Sequence, residues 1–368
     1  MKPLEQATAL MLASAFCATT HAANWTEGFK KGDPKIQSIT QLAFGPEGIL
    51  FAADSKAAAI VAIDTGDKKA GSASTIKVEN VQQKLASLLG TSADQIIIND
   101  VAVNPVSRNP YIAVSRGRGP GAMPAIVRVN AKSEMDLIPL DQVNFSRAEL
   151  PAPPIDREPE PGSRRGNPRL ESITDIAFDR DRVLVAGLSN EEFASSFRAI
   201  PFPFNSSVEP TSVEIFHGAH GKFETGAPIR TFVPMKVGDE TQLLAAYTCT
   251  PLVQIPLNSI QPKAKVKGKT VAELGNRNRP LDMIVYNKDG QDYLLMANSS
   301  RGVMKIATAK LQDAEAITEP VREERKGVEY ETVKGWTGIE QLDKLDNSNA
   351  LVLRKTDAGH TLEAIQLP

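Results

Sequence analysis

One pattern recurs six times along this chain and restricts its fold more than any other feature. It consists of an apolar strand, a short turn, a second apolar strand, a variable loop and a third strand. Ile39–Asp54 (ITQLAFGPEGILFAAD) and Ile173–Leu188 (ITDIAFDRDRVLVAGL) align without a gap, with Ile, Thr, Ala, Phe, Leu and Ala at shared places. Asp282–Asn298 and Thr231–Tyr247 are of equal length, and Asp100–Ser115 and Gly338–Arg354 complete the set. A single small sheet cannot bury both of its faces. Strand-only units repeating every ~40–60 residues therefore stack on one another and close into a ring. The expected architecture is all-β, a six-bladed β-propeller, with seven blades as the alternative if an insertion hides one more.

Length alone would allow two or three domains for 368 residues. The repeat argues for one, because each blade packs only against its neighbours. The domain reading is thus a secretory signal over residues 1–22 and a single propeller over 23–368. Lys2 gives the signal its positive start, and Ala7–Ala18 is an apolar core too short to span a bilayer. Thr20 and Ala22 place small residues for cleavage after Ala22. Cys17 is preceded by Phe16, where a lipidation site needs a small residue. No later segment approaches a membrane span, so the mature protein is expected to be periplasmic or secreted, and monomeric.

Hydrophobic residues make up 41% and charged residues 23%, and 42 basic residues face 44 acidic ones. That balance gives no basic surface for nucleic acid. After signal removal Cys249 stands alone, which excludes an internal disulfide framework. There is no CxxCH for covalent haem, no GxSxG nucleophile elbow, no Gly-rich phosphate loop and no HExxH.

Two insertions interrupt the repeat. In residues 75–95, Val81, Leu85, Leu88 and Leu89 fall at helical spacing, and Gly90 would end the helix. Residues 150–170 carry six prolines, which predicts an extended loop across one face, either a solvated connector or a lid over the channel. The charged run 322–331 reads as a solvated outer strand or turn. Ring closure falls to 24–36 or to the alternating segment Thr361–Leu367.

In a propeller the first strand of each blade lines the central channel. The residues opening those strands, Gln41, Asp100, Asp175, Thr231, Asp282 and Gly338, are therefore expected to form a ring. Three converging carboxylates repel unless a cation sits between them, and their oxygens suit a hard ion such as Ca²⁺. The predicted metal set is Asp100, Asp175, Asp282 and Gln41. The competing structural reading is that each aspartate hydrogen-bonds the backbone of the next blade. A second ring follows the second strands and is expected at the opposite end of the strand pair. There Arg116, Asn298 and Arg301 are candidates for an anionic ligand. A separate metal candidate is His217, His220 and Glu224 in the glycine-bearing segment FHGAHGKFE.

The segments LFAADS and LLMANSSRGVMKI carry Ala52-Ala53-Asp54-Ser55 and Ala297-Asn298-Ser299, each with an Ile in the next strand. This unit resembles the six-bladed propellers of the NHL and gluconolactonase/regucalcin-like group. The resemblance implies a six-bladed ring and, for the enzymes of that group, a Glu, Asn and Asp set around a divalent cation. Gln41 stands where the opening Glu would be, so no catalytic residue is carried over. The expected function is a module binding a small-molecule or protein ligand, with a cation at the channel mouth. The alternative is a metal-dependent lactone or ester hydrolase of the gluconolactonase-like type.

Overall fold

A computed structural model describes residues 24–71, 75–160, 166–249, 251–322 and 324–368. The expected signal, 1–22, lies outside these. Six sheets form a six-bladed ring. The innermost strands, in chain order, are Gln41–Phe44, Ile96–Val103, Asp175–Asp179, Thr231–Val237, Pro280–Lys288 and Ile339–Lys344, and we number the blades 1 to 6 by them. The segments form strands for the reason read from the repeat. Second strands such as Ile49–Asp54, and Gln291–Asn298 from Leu294 onward, are nearly continuous apolar runs, buried on both faces between neighbouring blades.

The order of the blades in space differs from their order in the chain. Each inter-blade interface is one apolar cluster, and the clusters join blades 1 and 2, 1 and 3, 3 and 4, 4 and 5, 5 and 6, and 6 and 2. Blade 2 therefore sits between blade 6 and blade 1. The chain leaves blade 1 after Ala59–Asp64 and pairs Lys77–Val78 with the outer edge of blade 6, where Val78 faces Leu362. It then builds blade 2 and returns as Val143–Glu149 to pair with Ala59–Asp64. Lys30–Gly32 adds the last strand of blade 1. Of the segment Thr361–Leu367, all but Leu367 falls in a strand of blade 6, Gly359–Gln366, but as its third strand; Lys77–Val78 supplies the fourth and closes the ring.

The helix expected in the first insertion is present as Val81–Leu89, with Gly90 at its end. Val81 and Leu85 are buried at the junction of blades 6 and 2, whereas Leu88 is exposed. The charged run supplies Lys326–Gly327 to blade 4 and Glu331–Thr332 to blade 5, both outer edges. Residues 150–160 and 166–170 are tied over the junction of blades 1 and 3. Leu150 N–H donates to Ala58 O at 2.9 Å, and Arg169 Nε donates to Pro154 O at 2.7 Å. Cys249 is half-buried in a left-handed turn, where its N–H donates to Asn278 O at 2.9 Å. Among the described residues, no helix is long and apolar enough to cross a membrane.

The interface of blades 1 and 3 is aromatic. Phe51, fully buried, stacks on Phe178 with centroids 5.5 Å apart and meets Phe202 edge-on at 4.8 Å. Truncation leaves a cavity that flanking sheets cannot collapse into. Phe51→Ala is expected to cost about 3–5 kcal/mol in urea unfolding, whereas Leu88→Ala on the exposed helix face stays below about 1 kcal/mol.

Candidate functional site

The channel aspartates clasp neighbouring blades. Leu42 N–H of blade 1 donates to Asp100 Oδ2 of blade 2 at 2.7 Å. Phe232 N–H of blade 4 donates to Asp175 Oδ2 of blade 3 at 2.7 Å, and Leu342 N–H of blade 6 donates to Asp282 Oδ2 of blade 5 at 2.8 Å. The second oxygen of Asp175 and of Asp282 accepts the N–H of the following residue, Ile176 at 2.8 Å and Met283 at 2.7 Å. Asp343, which the repeat did not single out, does the same: Oδ2 accepts Val103 N–H of blade 2 at 2.7 Å, and Oδ1 accepts Lys344 N–H at 2.6 Å. All four straps run in one direction around the ring. Gln41 and Thr231 occupy the positions at the two junctions without a strap.

The register corrects two expectations. The donors Leu42, Phe232 and Leu342 each lie one residue past the ring position, so blade 6 contributes Gln341 to the ring, not Gly338. Its inner strand begins at Ile339 and carries an irregularity between Ile339 and Gln341. Gly338 instead turns the chain into that strand at φ +69°, where a Cβ would collide with Lys355 O. The ring following the second strands is also not at the opposite end. In an antiparallel hairpin the end of the second strand lies beside the start of the first, as Gln41↔Ala53 and Asp100↔Ala113 show.

Burial pushes the Asp175 carboxyl up to about 7 and Asp343 up to about 6, and lifts Asp100 and Asp282 well above the usual carboxylate range. The backbone donors pull these groups back without offsetting burial. Like charges add to the rise: Asp175 acts on Asp100, and Asp100 acts on Asp282.

The channel opens into two cavities that share Gln41 in their walls. One, of about 530 Å³, holds Asp100, Asp175, Asp282 and Asp343 together with Arg108 and Lys344. The other, of about 750 Å³, lies at the start of the inner strands. Its wall is polar: Asn99, Thr174, Arg230, Ser299, Thr337 and Gln341 contribute, drawn from every blade once Gln41 is included. Arg230 is held by Glu171 at 2.7 Å. Arg279, also in this wall, is exposed at the mouth, and among the described residues its guanidinium has no hydrogen bond or ion pair. Desolvation by the walls, with Arg230 nearby, lowers its pKa. None of the described residues of 150–170 lines either cavity.

Of the three residues expected to hold an anion, only Asn298 lines this mouth. Its side chain is committed to the loop: Nδ2 donates to Asn278 Oδ1 at 3.0 Å, and Oδ1 accepts the N–H groups of Ser300 and Arg301 at 3.1 Å. Arg116 Nη2 donates to Gly90 O at 3.3 Å, and Arg301 lies 3.5 Å from Glu324, both away from the cavity wall. Arg230 and Arg279 lie before the inner strands, not after the second strands. Arg230 stands directly before ring residue Thr231, as Asn99 and Thr174 stand before Asp100 and Asp175, so the repeat alignment already held the signal.

His217, His220 and Glu224 come together far from the channel, on a hairpin at the outer junction of blades 3 and 4. His217 Nδ1 lies 3.0 Å from Glu224 Oε2, and His220 Nδ1 lies 2.7 Å from Glu224 Oε1. Burial holds the His217 imidazole below its ordinary range, leaving it neutral near pH 7.

No family model matches the chain, and no curated protein matches it. Solved structures with a similar fold include a putative oxidoreductase (glucose dehydrogenase) from Thermus thermophilus, at 13% identity and TM-score 0.31 over 92% of this chain and 100% of that one. Another is the Bacteroides ovatus xyloglucan PUL GH43B, at 10% identity and TM-score 0.37 over 74% and 52%. A third is the extracellular region of Plexin A4, at 8% identity and TM-score 0.39 over 92% and 46%. The chain spans about half the length of the latter two. At such values the likeness carries no functional argument, and the propeller architecture rests on the six sheets themselves.

Two outcomes follow for the aspartate ring. Asp175→Asn leaves one acceptor oxygen for the N–H groups of Phe232 and Ile176, and is expected to cost about 1–3 kcal/mol in denaturant unfolding, equally with and without a chelator. A cost that vanishes in chelator would instead assign the ring to a cation. Asp175 and Asp343 bind protons more readily folded than unfolded, where the ordinary value is 3.8. Their contribution to stability is greatest below about pH 4 and is lost as pH rises through about 6 to 7. Tm is therefore expected to rise by a few degrees between about pH 7.5 and about pH 5 in calorimetry, and a flat or falling Tm contradicts this.

Proposed function

We propose that this propeller is a binding module that takes a small, polar, anionic molecule at the polar mouth of its channel, and that it works outside the cytoplasm. The observation that carries the reading is the Arg279 guanidinium: exposed in the wall of a cavity of about 750 Å³, beside Arg230, and with no hydrogen bond or ion pair among the described residues. Glu171 bonds Arg230 and acts on Arg279 only through space, which leaves the Arg279 N–H groups to a ligand. Two guanidinium groups side by side repel, and a carboxylate or phosphate between them removes that repulsion through charge-assisted hydrogen bonds. Asn99, Thr174, Ser299, Thr337 and Gln341 supply further donors and acceptors for a hydroxylated body. The leader-like residues 1–22 support the location.

The resemblance to gluconolactonase-like enzymes suggests metal-dependent hydrolysis of a lactone or ester as the alternative. Such chemistry needs a cation whose ligands are free to hold it. The channel aspartates direct oxygens to backbone N–H groups, which favours the binding reading.

The test is calorimetric titration and thermal shift with gluconate, citrate and glucose 6-phosphate, set against glucose and gluconolactone. One or more of the anions is expected to raise Tm, and the neutral compounds are not. Arg279→Ala is expected to weaken that binding by about 10–100-fold, with partial recovery in Arg279→Lys. Binding that ignores Arg279, or steady turnover of the lactone, overturns the proposal.

A further inference from the structure

The hairpin at the junction of blades 3 and 4 is more ordered than a surface turn requires. Thr211–His217 runs into a short turn, Gly218–His220, and Lys222–Glu224 returns antiparallel, with Phe216 facing Phe223. Blade 4 fixes this turn from the other side. Gly218 N–H donates to Glu273 Oε1 at 2.6 Å, Val321 N–H donates to Gly218 O at 2.8 Å, and Thr270 Oγ1 donates to Phe216 O at 2.6 Å. A Cβ at position 218 would approach Val321 Cγ2 to 2.7 Å and Glu273 Oε1 to 3.0 Å, so any side chain there displaces one of them.

This anchoring holds three donors of mixed chemistry at one point. The nearest donor atoms of His217, His220 and Glu224 all lie within 4.8 Å of one another. The imidazole centroids are 3.9 Å apart. Ligand atoms around a tetrahedral Zn²⁺ stand about 3.3 Å from each other. The 2.7 and 3.0 Å separations between the Glu224 oxygens and the two Nδ1 atoms are within ~0.6 Å of that spacing. The site is also graded in access, as a metal site with an open position must be. The His217 side chain is 3% exposed, Glu224 16% and His220 48%.

A second observation is independent of the spacing. Two buried polar atoms at this junction have no hydrogen-bond partner, His217 Nε2 and Glu273 Oε2. Glu224 and Glu273 bring two carboxyl groups to this junction, and among the described residues the one Lys or Arg ion pair to either is Lys222 Nζ, 3.9 Å from Glu224. The unpartnered nitrogen and oxygen mark a buried polar wall with spare bonding capacity beside the three side chains.

We propose that His217, His220 and Glu224 form a three-ligand site for a Zn²⁺-class transition metal, with a fourth position open toward the His220 side. Two imidazoles and one carboxylate suit Zn²⁺ and not Ca²⁺, which prefers an all-oxygen shell. This site is separate from the channel, and its test is independent of any channel ligand.

The test titrates chelator-treated full-length protein with ZnCl₂ alone by calorimetry, and with CoCl₂ by visible absorption. The expected result is one Zn²⁺ per chain with Kd in the micromolar range or tighter, an intense d–d spectrum for Co²⁺ and no competition from millimolar Ca²⁺. His220→Ala, at a half-exposed position, keeps the fold by circular dichroism and is expected to weaken Zn²⁺ binding at least about tenfold; Glu224→Gln does the same. Absence of stoichiometric binding, or binding unchanged in both variants, overturns the proposal.

Discussion

A carboxylate drawn into a narrow channel beside three others must be compensated, and the compensation here is the backbone of the next blade. Asp100, Asp175, Asp282 and Asp343 each direct one oxygen across a junction to an N–H group of the neighbouring inner strand. That placement does two things at once. It satisfies donors that face the channel and have no ladder partner, and it fixes the height of each inner strand against the next. The polar mouth, the arginine pair and the loop that holds Glu171 all inherit their positions from that alignment. The same burial raises the four carboxyls, so the ring holds the blades at the cost of carrying groups reluctant to ionise.

Around this polar axis the rest of the stability is apolar and local. Among the described residues, six large clusters, one per junction, hold the sheets face to face, and every one draws residues from two blades. No blade has a core of its own. The His217 hairpin and the clasp from Glu273 extend the same logic outward, since an element of blade 3 is ordered by an element of blade 4.

The sequence disclosed the blades because each second strand is an apolar run buried on both faces, and that pattern survives any change of loop. It disclosed the helix Val81–Leu89 through its spacing and Gly90. It did not disclose the spatial order of the blades. Nothing in the local pattern of Val143–Glu149 distinguishes an outer strand of blade 1 from an outer strand of blade 2, because pairing partners so far apart leave no periodic mark. The candidate site was partly legible. Asp100, Asp175 and Asp282 were placed in the channel by alignment alone, while Asp343 escaped because it sits two residues beyond the ring position on the same side of its strand. Arg279 escaped because Pro280 and an irregularity at Asp282 shift the register there. His217, His220 and Glu224 were adjacent in sequence, so their meeting was readable, but the buried partner Glu273 was not.

The displaced blade has a consequence for how the ring is assembled during synthesis. Blade 1 emerges first yet waits for its fourth strand until the whole of blade 2 has been made, because Val143–Glu149 follows it in the chain. Blade 2 in turn has no neighbour on one side until Ile339–Lys344 appears, and Lys77–Val78 stays unpaired until Gly359–Gln366 is complete. Early segments are thus held open by late ones at two places. A nascent chain of this kind exposes unpaired edges along nearly its full length. Gly359–Gln366 therefore works as a latch, because only its pairing with Lys77–Val78 completes blade 6.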